Sequence, residues 1–208
     1  TKDLQAYVDA AYGGLEVIQS GWIDLPVLLE SSRDYFIEKS LYAEERFCAA
    51  DLNIQEENVI WKNRTFGKVI FCQGFMAHEN AFFNWLPFTP VKGQILEITT
   101  EKALGPEIIN QGIFVLPVNE FKARVGATYS WDPLDWEPTA EATAELEEKL
   151  QSLLKIPYRI GSETAGIRPS VKDRRPLVGV HPEYNNVGIF NGLGTKGVTL
   201  APYFANQF

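Results

Sequence analysis

The residues with the clearest chemical potential lie late in the chain, between Gly166 and Ala201. Arg168 stands before Pro169, so its backbone is biased toward an extended conformation. Its guanidinium is a rigid fork of hydrogen-bond donors that suits a carboxylate. This pattern predicts an anchor for an acidic group, and the alternative is an ion pair with Asp173 or a plain surface arginine.

A glycine-rich turn follows in the same stretch. Residues 192–197 contain three glycines, after an apolar strand pattern at 187–190 and before an apolar helix pattern that begins near Val198. Glycines let another group approach the backbone closely, and a helix start with the ammonium of Lys196 favours negative charge. A reduced flavin carries such charge along its N1–C2=O edge, so the turn fits that edge. The alternative is a turn that only packs strand against helix.

The same turn is not a phosphate-binding motif. It lacks the order GxxxxGK[ST], and although GLGTKG has the spacing GxGxxG, no second strand and acidic residue follow it. The diphosphate of a dinucleotide cofactor would therefore be held by residues outside this chain. The sequence starts at Thr1 without an initiator methionine and is expected to be a part of a longer protein.

The amino-acid composition disfavours several classes of binding partner. With 45% apolar residues the 208-residue chain can bury a core, and 19 basic against 27 acidic residues give a net charge of −8. That charge argues against nucleic acid or an anionic membrane as the main partner, and no apolar run has the length of a membrane span. The two cysteines and two histidines lack metal-ligand spacing, so no metal site is expected. A reducing, cytoplasmic compartment is expected.

The elements that must position these residues follow from hydrophobic periodicity. Asp24 and Pro26 mark the start of an amphipathic helix to Lys39, and Val69–Phe71 is an apolar run typical of a strand covered on both faces. From Val91 the period becomes two, which predicts an antiparallel sheet. The remaining predictions are helical pattern at 77–85, helices at 139–155 and 195–207, and strands at 158–168, 176–180 and 187–190.

These patterns predict an α+β fold, in which pieces of an α/β layer flank an antiparallel sheet. Four segments are expected. Residues 1–58 hold an entry segment and helix with partial strands of the α/β layer, and 59–84 hold a strand and helix of that layer. Residues 85–160 form the antiparallel part, and 161–208 return to the layer.

Six stretches in this order resemble one known family. They are SGWIDLPVLLESSRDYF, KVIFCQG, PFTPVKGQILEI, RVGATYSWDPLDWEPTAE, GIRPSVKDRRPLVG and FNGLGTKGVTLAP. Together they resemble the FAD-dependent amino-acid oxidoreductases, the family that includes D-amino-acid oxidase, glycine oxidase and sarcosine oxidase. The resemblance covers nearly all of the chain, as the C-terminal portion that lacks the family's N-terminal dinucleotide-binding motif.

The resemblance implies a two-domain fold, with a Rossmann-like FAD layer and an antiparallel substrate sheet. It implies that Arg168 pairs with the substrate carboxylate and that Phe114 and Tyr129 line the substrate pocket. No side chain beyond the flavin would be catalytic. The positions implied to contact the cofactor are Gln73, Gly74, Gly192, Leu193, Gly194, Thr195, Lys196, Gly197, Val198 and Thr199.

The implied reaction is hydride transfer from a small carboxylated amine or amino acid to flavin N5. No cysteine stands near Arg168 or Lys196, so the FAD is expected to be non-covalent, and this portion alone is expected to be inactive. Leu193 replaces a histidine common in the family, and Phe114 lacks a hydroxyl, which leaves the substrate open. The alternatives are a flavin enzyme that modifies a tRNA base, and a binding or regulatory module without flavin.

Overall fold

A computed structural model describes residues 4–208 of the chain. The α-helices are α1 (Leu25–Glu38), α2 (Ala140–Leu153) and α3 (Gly197–Ala205), and short 3₁₀ helices span Leu4–Ala6, Ala49–Asp51 and Gly74–Glu79. The strands are β1 (Leu52–Ile54), β2 (Val59–Trp61), β3 (Arg64–Phe66), β4 (Val69–Phe71), β5 (Val91–Thr100), β6 (Ile109–Gln111), β7 (Ile113–Asn119), β8 (Lys122–Gly126), β9 (Tyr158–Arg168), β10 (Leu177–Val180) and β11 (Val187–Asn191). The predicted α+β fold is confirmed.

The largest sheet has five antiparallel strands in the order β6-β7-β8-β5-β9. Helix α2 covers one face, because Leu146, Leu150 and Leu153 recur at helical spacing and are almost fully buried. They form one core with inward residues of β5, β7 and β8, such as Leu96 and Ile98. Helix α2 does not cover the opposite face of this sheet.

A smaller sheet has the order β10-β11-β4. Strands β4 and β11 are parallel, with Val69 opposite Val187 and Phe71 opposite Ile189. The carboxyl ends of parallel strands meet at one edge, which is where α/β sheets bind ligands. Gly74 and Gly192, which follow these two strands, are thereby brought to the same edge.

The antiparallel hairpins β1-β2-β3 form a third sheet, and α1 precedes it in the chain. The side chain of Asp24 accepts a hydrogen bond from the Val27 N–H at 3.3 Å, so the predicted start of α1 is confirmed. None of the α1 residues is buried within the described part of the chain. No helix there is long and apolar enough to cross a membrane.

Two expectations differ from the structure. The helical pattern at 77–85 becomes the 3₁₀ helix Gly74–Glu79 and turns, because the Asn80 side chain accepts from the Phe82 N–H at 2.8 Å and competes with helix formation. Strand β4 was expected to be covered on both faces. Phe71 is buried, but Ile70 is 43% exposed, so the described residues cover only one face.

Candidate functional site

Arg168 ends β9 and sits opposite Val91 of β5. Its side chain folds back across β5 and lies directly on the backbone of Gly93. A Cβ added at Gly93 would lie only 2.0 Å from Nη2 of Arg168. The absence of a side chain at Gly93 therefore permits this placement of the guanidinium.

The guanidinium is held by backbone carbonyls and an aromatic ring. Nη1 of Arg168 donates to the carbonyls of Lys92 at 3.3 Å and Thr128 at 3.2 Å, and Cζ lies 4.6 Å from the centroid of the Tyr129 ring. Burial lowers the pKa of Arg168, but a guanidinium stays charged at neutral pH. The alternative partner Asp173 instead accepts from the Arg175 N–H at 3.0 Å.

Phe114 borders the same face of the sheet. It stands opposite Gly126, which stands opposite Ile95, two residues from Gly93. A Cβ added at Gly126 would lie 3.0 Å from Cζ of Phe114, so the ring covers that glycine. One strand spacing and two residues along β5 separate the Phe114 ring from the guanidinium by about 8 Å. Phe114, Tyr129 and Arg168 thus border one surface of the sheet around Gly93 and Gly126, which we term the floor.

Sequence reasoning missed Trp136, which completes the rim of that floor. A Cβ added at Gly166, the residue opposite Gly93, would lie 3.9 Å from Cζ3 of Trp136. The Trp136 ring also contacts Phe75 edge to face, with centroids 5.5 Å apart. Its only sequence signal was an aromatic residue in the connection between β8 and α2.

The segments that follow β4 and β11 are tied together by a second missed residue, Asn191. Its Nδ2 donates to the carbonyl of Gly74 at 2.8 Å, and its Oδ1 accepts from the Gly192 N–H at 2.7 Å. Asn191 is only 3% exposed. Gln73 is exposed, and its Oε1 accepts from Nδ2 of Asn80 at 2.6 Å. The structure therefore brings Gln73 and Gly74 next to the glycine turn.

The glycine turn packs closely and also leaves an open helix start. Gly192 and Gly194 have φ of +72° and +55°, and a Cβ at Gly192 would lie 2.6 Å from Cγ2 of Val171. No side chain caps α3 at Lys196. Of the neighbouring positions that the resemblance implies, Leu193 and Gly197 are partly exposed and Thr195, Val198 and Thr199 are exposed.

The turn and the arginine belong to one site, because the Gly194 N–H donates to the carbonyl of Pro169 at 3.2 Å. Pro169 directly follows Arg168, so Arg168 and the start of α3 are adjacent. The chemistry of this donor set fits the polar edge of a flavin beside a carboxylated molecule.

A cleft of about 320 Å³ adjoins this site. It is lined by Lys92, Gln94, Ser130 and Thr139, and also by Thr128 and Tyr129, which contact Arg168, whereas Arg168 itself does not line it. The described residues contain no group of three or more His, Cys, Asp or Glu that could hold a metal ion.

Comparison with known proteins gives a family and a fold. The family of FAD dependent oxidoreductases (DAO) matches residues 1–207. A tRNA 5-methylaminomethyl-2-thiouridine biosynthesis bifunctional protein of Idiomarina loihiensis is 29% identical over 217 residues, which covers 97% of this chain and 34% of that protein. A glycine oxidase of Bacillus licheniformis is 31% identical over 120 residues, 55% of this chain and 32% of that protein.

Among solved structures, glycine oxidase from Geobacillus kaustophilus superposes with a TM-score of 0.63 at 21% identity, over 75% of this chain and 45% of that one. This likeness concerns the fold. The chain spans about a third of the length of the two curated relatives, 34% and 32%.

Proposed function

The chain belongs to the FAD-dependent oxidoreductase family, and from this premise we propose that the full-length protein oxidises a small amine or amino acid that carries a carboxylate. The observation that carries the proposal is the hydrogen bond from the Gly194 N–H to the Pro169 carbonyl. It joins the segment of Arg168 to the glycine turn, so one site offers both a carboxylate anchor and a cofactor edge.

On the substrate side, Arg168 binds the carboxylate. Only Nη1 of Arg168 bonds to protein acceptors in the described chain, which leaves Nη2 for the substrate. Tyr129 packs against the guanidinium, and Phe114 limits the floor. A carboxylate fixed at Arg168 orients the neighbouring amine carbon, which is the contribution that positioning makes to catalysis.

On the cofactor side, the proposed contacts are the ten positions at Gln73–Gly74 and Gly192–Thr199. FAD, when bound without a covalent link, supplies a hydride acceptor at N5. The N–H groups at the start of α3 and the ammonium of Lys196 would stabilise negative charge at the polar edge of the ring. No side chain of this chain is proposed to act as the base, because an amine that arrives neutral needs none.

The proposed segment layout is 1–58, 59–84, 85–160 and 161–208, with one correction: residues 161–168 belong to β9, which pairs with β5 in the five-stranded sheet. The parallel pairing of β4 with β11 supports the assignment of 59–84 and of the residues after β9 to one cofactor-binding layer. The five-stranded sheet supports a substrate-binding part between them.

The test is purification of the full-length protein. We expect a yellow protein that releases FAD on denaturation and whose flavin is bleached anaerobically by glycine, N-methylglycine or another carboxylated amine, but not by methylamine. A colourless full-length protein that FAD does not reconstitute would contradict the proposal and favour a binding or regulatory module.

A second candidate is a flavin enzyme that modifies a tRNA base. It is favoured by one observation, the match of 97% of this chain to a bifunctional protein of tRNA 5-methylaminomethyl-2-thiouridine biosynthesis. Anaerobic reduction of the flavin by tRNA from cells that lack this protein, and not by any free amine, would select this candidate.

A further inference from the structure

Lys92 is a buried lysine that neither sequence reasoning nor the proposed reaction uses. The residue is 4% exposed and lies on β5, next to Gly93 of the candidate site. A buried ammonium is costly unless it is paired and hydrogen-bonded. Its partner is Asp135, whose side chain is 44% exposed and also accepts from the Glu137 N–H at 3.1 Å.

The backbone of Lys92 also contacts the connection between β8 and α2, at Ser130. Its N–H donates to the Ser130 carbonyl at 2.8 Å, and its carbonyl accepts from the Ser130 N–H at 2.9 Å. The same carbonyl accepts from Nη1 of Arg168 at 3.3 Å. Lys92 therefore fastens both ends of residues 129–137, which we term the β8–α2 loop, and also touches the anchor.

The Lys92–Asp135 ion pair and the floor lie on opposite faces of β5. Lys92 and Gly93 are neighbours on a strand, so their side-chain directions are opposite. The ammonium of Lys92 holds Asp135 on one face. On the Gly93 face lie the two aromatic residues of the loop that border the floor, Tyr129 beside Arg168 and Trp136 over Gly166.

We propose that Lys92 is a positioning residue, which through Asp135 fixes the β8–α2 loop so that Tyr129 supports Arg168 and Trp136 closes the rim toward Phe75. This inference rests on the proposed function. It assigns the ion pair a role in binding the substrate rather than in the chemical step, because neither Lys92 nor Asp135 borders the floor.

The test uses the full-length protein with Lys92→Met, Asp135→Asn and both changes together. In each, hydrogen exchange of residues 129–137 should rise, and KM for a carboxylated amine should rise on the order of tenfold while kcat changes by less than about twofold. The double variant should be no worse than either single one, because both remove one interaction. Asp135→Glu keeps the charge at the exposed end and should restore values near those of the wild type.

The matched control is Lys122→Met. Lys122 pairs with Glu97 at 3.4 Å across β8 and β5 of the same sheet, but the Lys122 side chain is 49% exposed. It should leave exchange of the loop and KM unchanged. Wild-type exchange and KM in both Lys92→Met and Asp135→Asn would overturn the inference, as would an equal effect of Lys122→Met.

The outcomes remain separable from those of the proposed function. A full-length protein without flavin contradicts the proposed function, whereas unchanged exchange of residues 129–137 contradicts the role of Lys92. If Lys92→Met fails to fold, Asp135→Asn decides, because it changes no atom of the buried Lys92 side chain and alters a side chain that is partly exposed.

Discussion

In the proposed function, substrate recognition depends mainly on the side chain of Arg168, which binds the carboxylate. Replacement by Ala should raise KM for carboxylated amines on the order of a hundredfold, since loss of a hydrogen-bonded charged pair costs about 3 kcal/mol. Arg168→Lys should recover only part of this, because an ammonium lacks the planar fork. Flavin absorbance should stay near that of the wild type in both. Steady-state kinetics would measure the effect, with Arg159→Ala, an exposed arginine of the same strand, as control; an unchanged KM would contradict the anchor.

Gly93→Ala tests the placement of the guanidinium without removing it. The added Cβ would lie 2.0 Å from Nη2, so Arg168 must move. The atoms that must yield are the end of a flexible side chain, so the loss in unfolding free energy should stay below about 1 kcal/mol. KM should nevertheless rise as in Arg168→Ala. Thermal melting and kinetics separate the two effects, and Gly67→Ala, whose Cβ would meet nothing within 4 Å, is the control.

At the scale of single residues, the sequence predicts a role where residue type and immediate neighbours are enough to suggest one. Arg168 before a proline and a turn of glycines carry such signals, and the structure brings Arg168 and Tyr129 together. Trp136, Asn191 and Lys92 carry none, because their contacts arise from the path of a loop and from the pairing of distant strands. Whether the ten cofactor positions contact FAD stays a prediction.

At the scale of elements, Asn191 fastens the ends of β4 and β11. Asn191→Ala would leave the Gly74 carbonyl and the Gly192 N–H without their buried partner, which should cost about 1–3 kcal/mol of unfolding free energy. Flavin affinity should fall with it, because both segments belong to the proposed cofactor edge. Chemical unfolding and flavin titration measure both quantities. The exposed Asn185→Ala should change neither, and wild-type affinity in Asn191→Ala would contradict the coupling of the two segments.

The β8–α2 loop should respond to acid. The hydrogen bond from Lys92, and next that from the Glu137 N–H, hold the pKa of Asp135 below its ordinary value. The contribution of this pair is therefore present above the ordinary pKa of an aspartate and is lost as the pH falls through the lowered one. Hydrogen exchange of residues 129–137 should rise over that interval and be flat in Asp135→Asn. A rise of equal size in the variant would assign the acid response to another group.

The elements themselves show what periodicity can predict. Helices α1 and α2 and the long strand β9 follow from regular spacing and good caps, and their predicted bounds are confirmed within two residues. The failure at 77–85 has a local cause, the side chain of Asn80, which no periodic pattern contains. The exposed side of β4 depends on which element lies over that face, and the sequence of one strand does not encode this.

This chain is acidic, and this bears on the choice between a small amine and tRNA. A net charge of −8 repels a polyanion and displaces few of its counterions, so this chain contributes little to tRNA binding. Under the proposed function, oxidation of a carboxylated amine by the full-length protein should be unaffected by excess tRNA at low salt. The measurement is the initial rate with and without tRNA across a salt series, with heparin as a second polyanion. Competitive inhibition by tRNA, absent with heparin and weakening as salt rises, would favour a tRNA substrate instead.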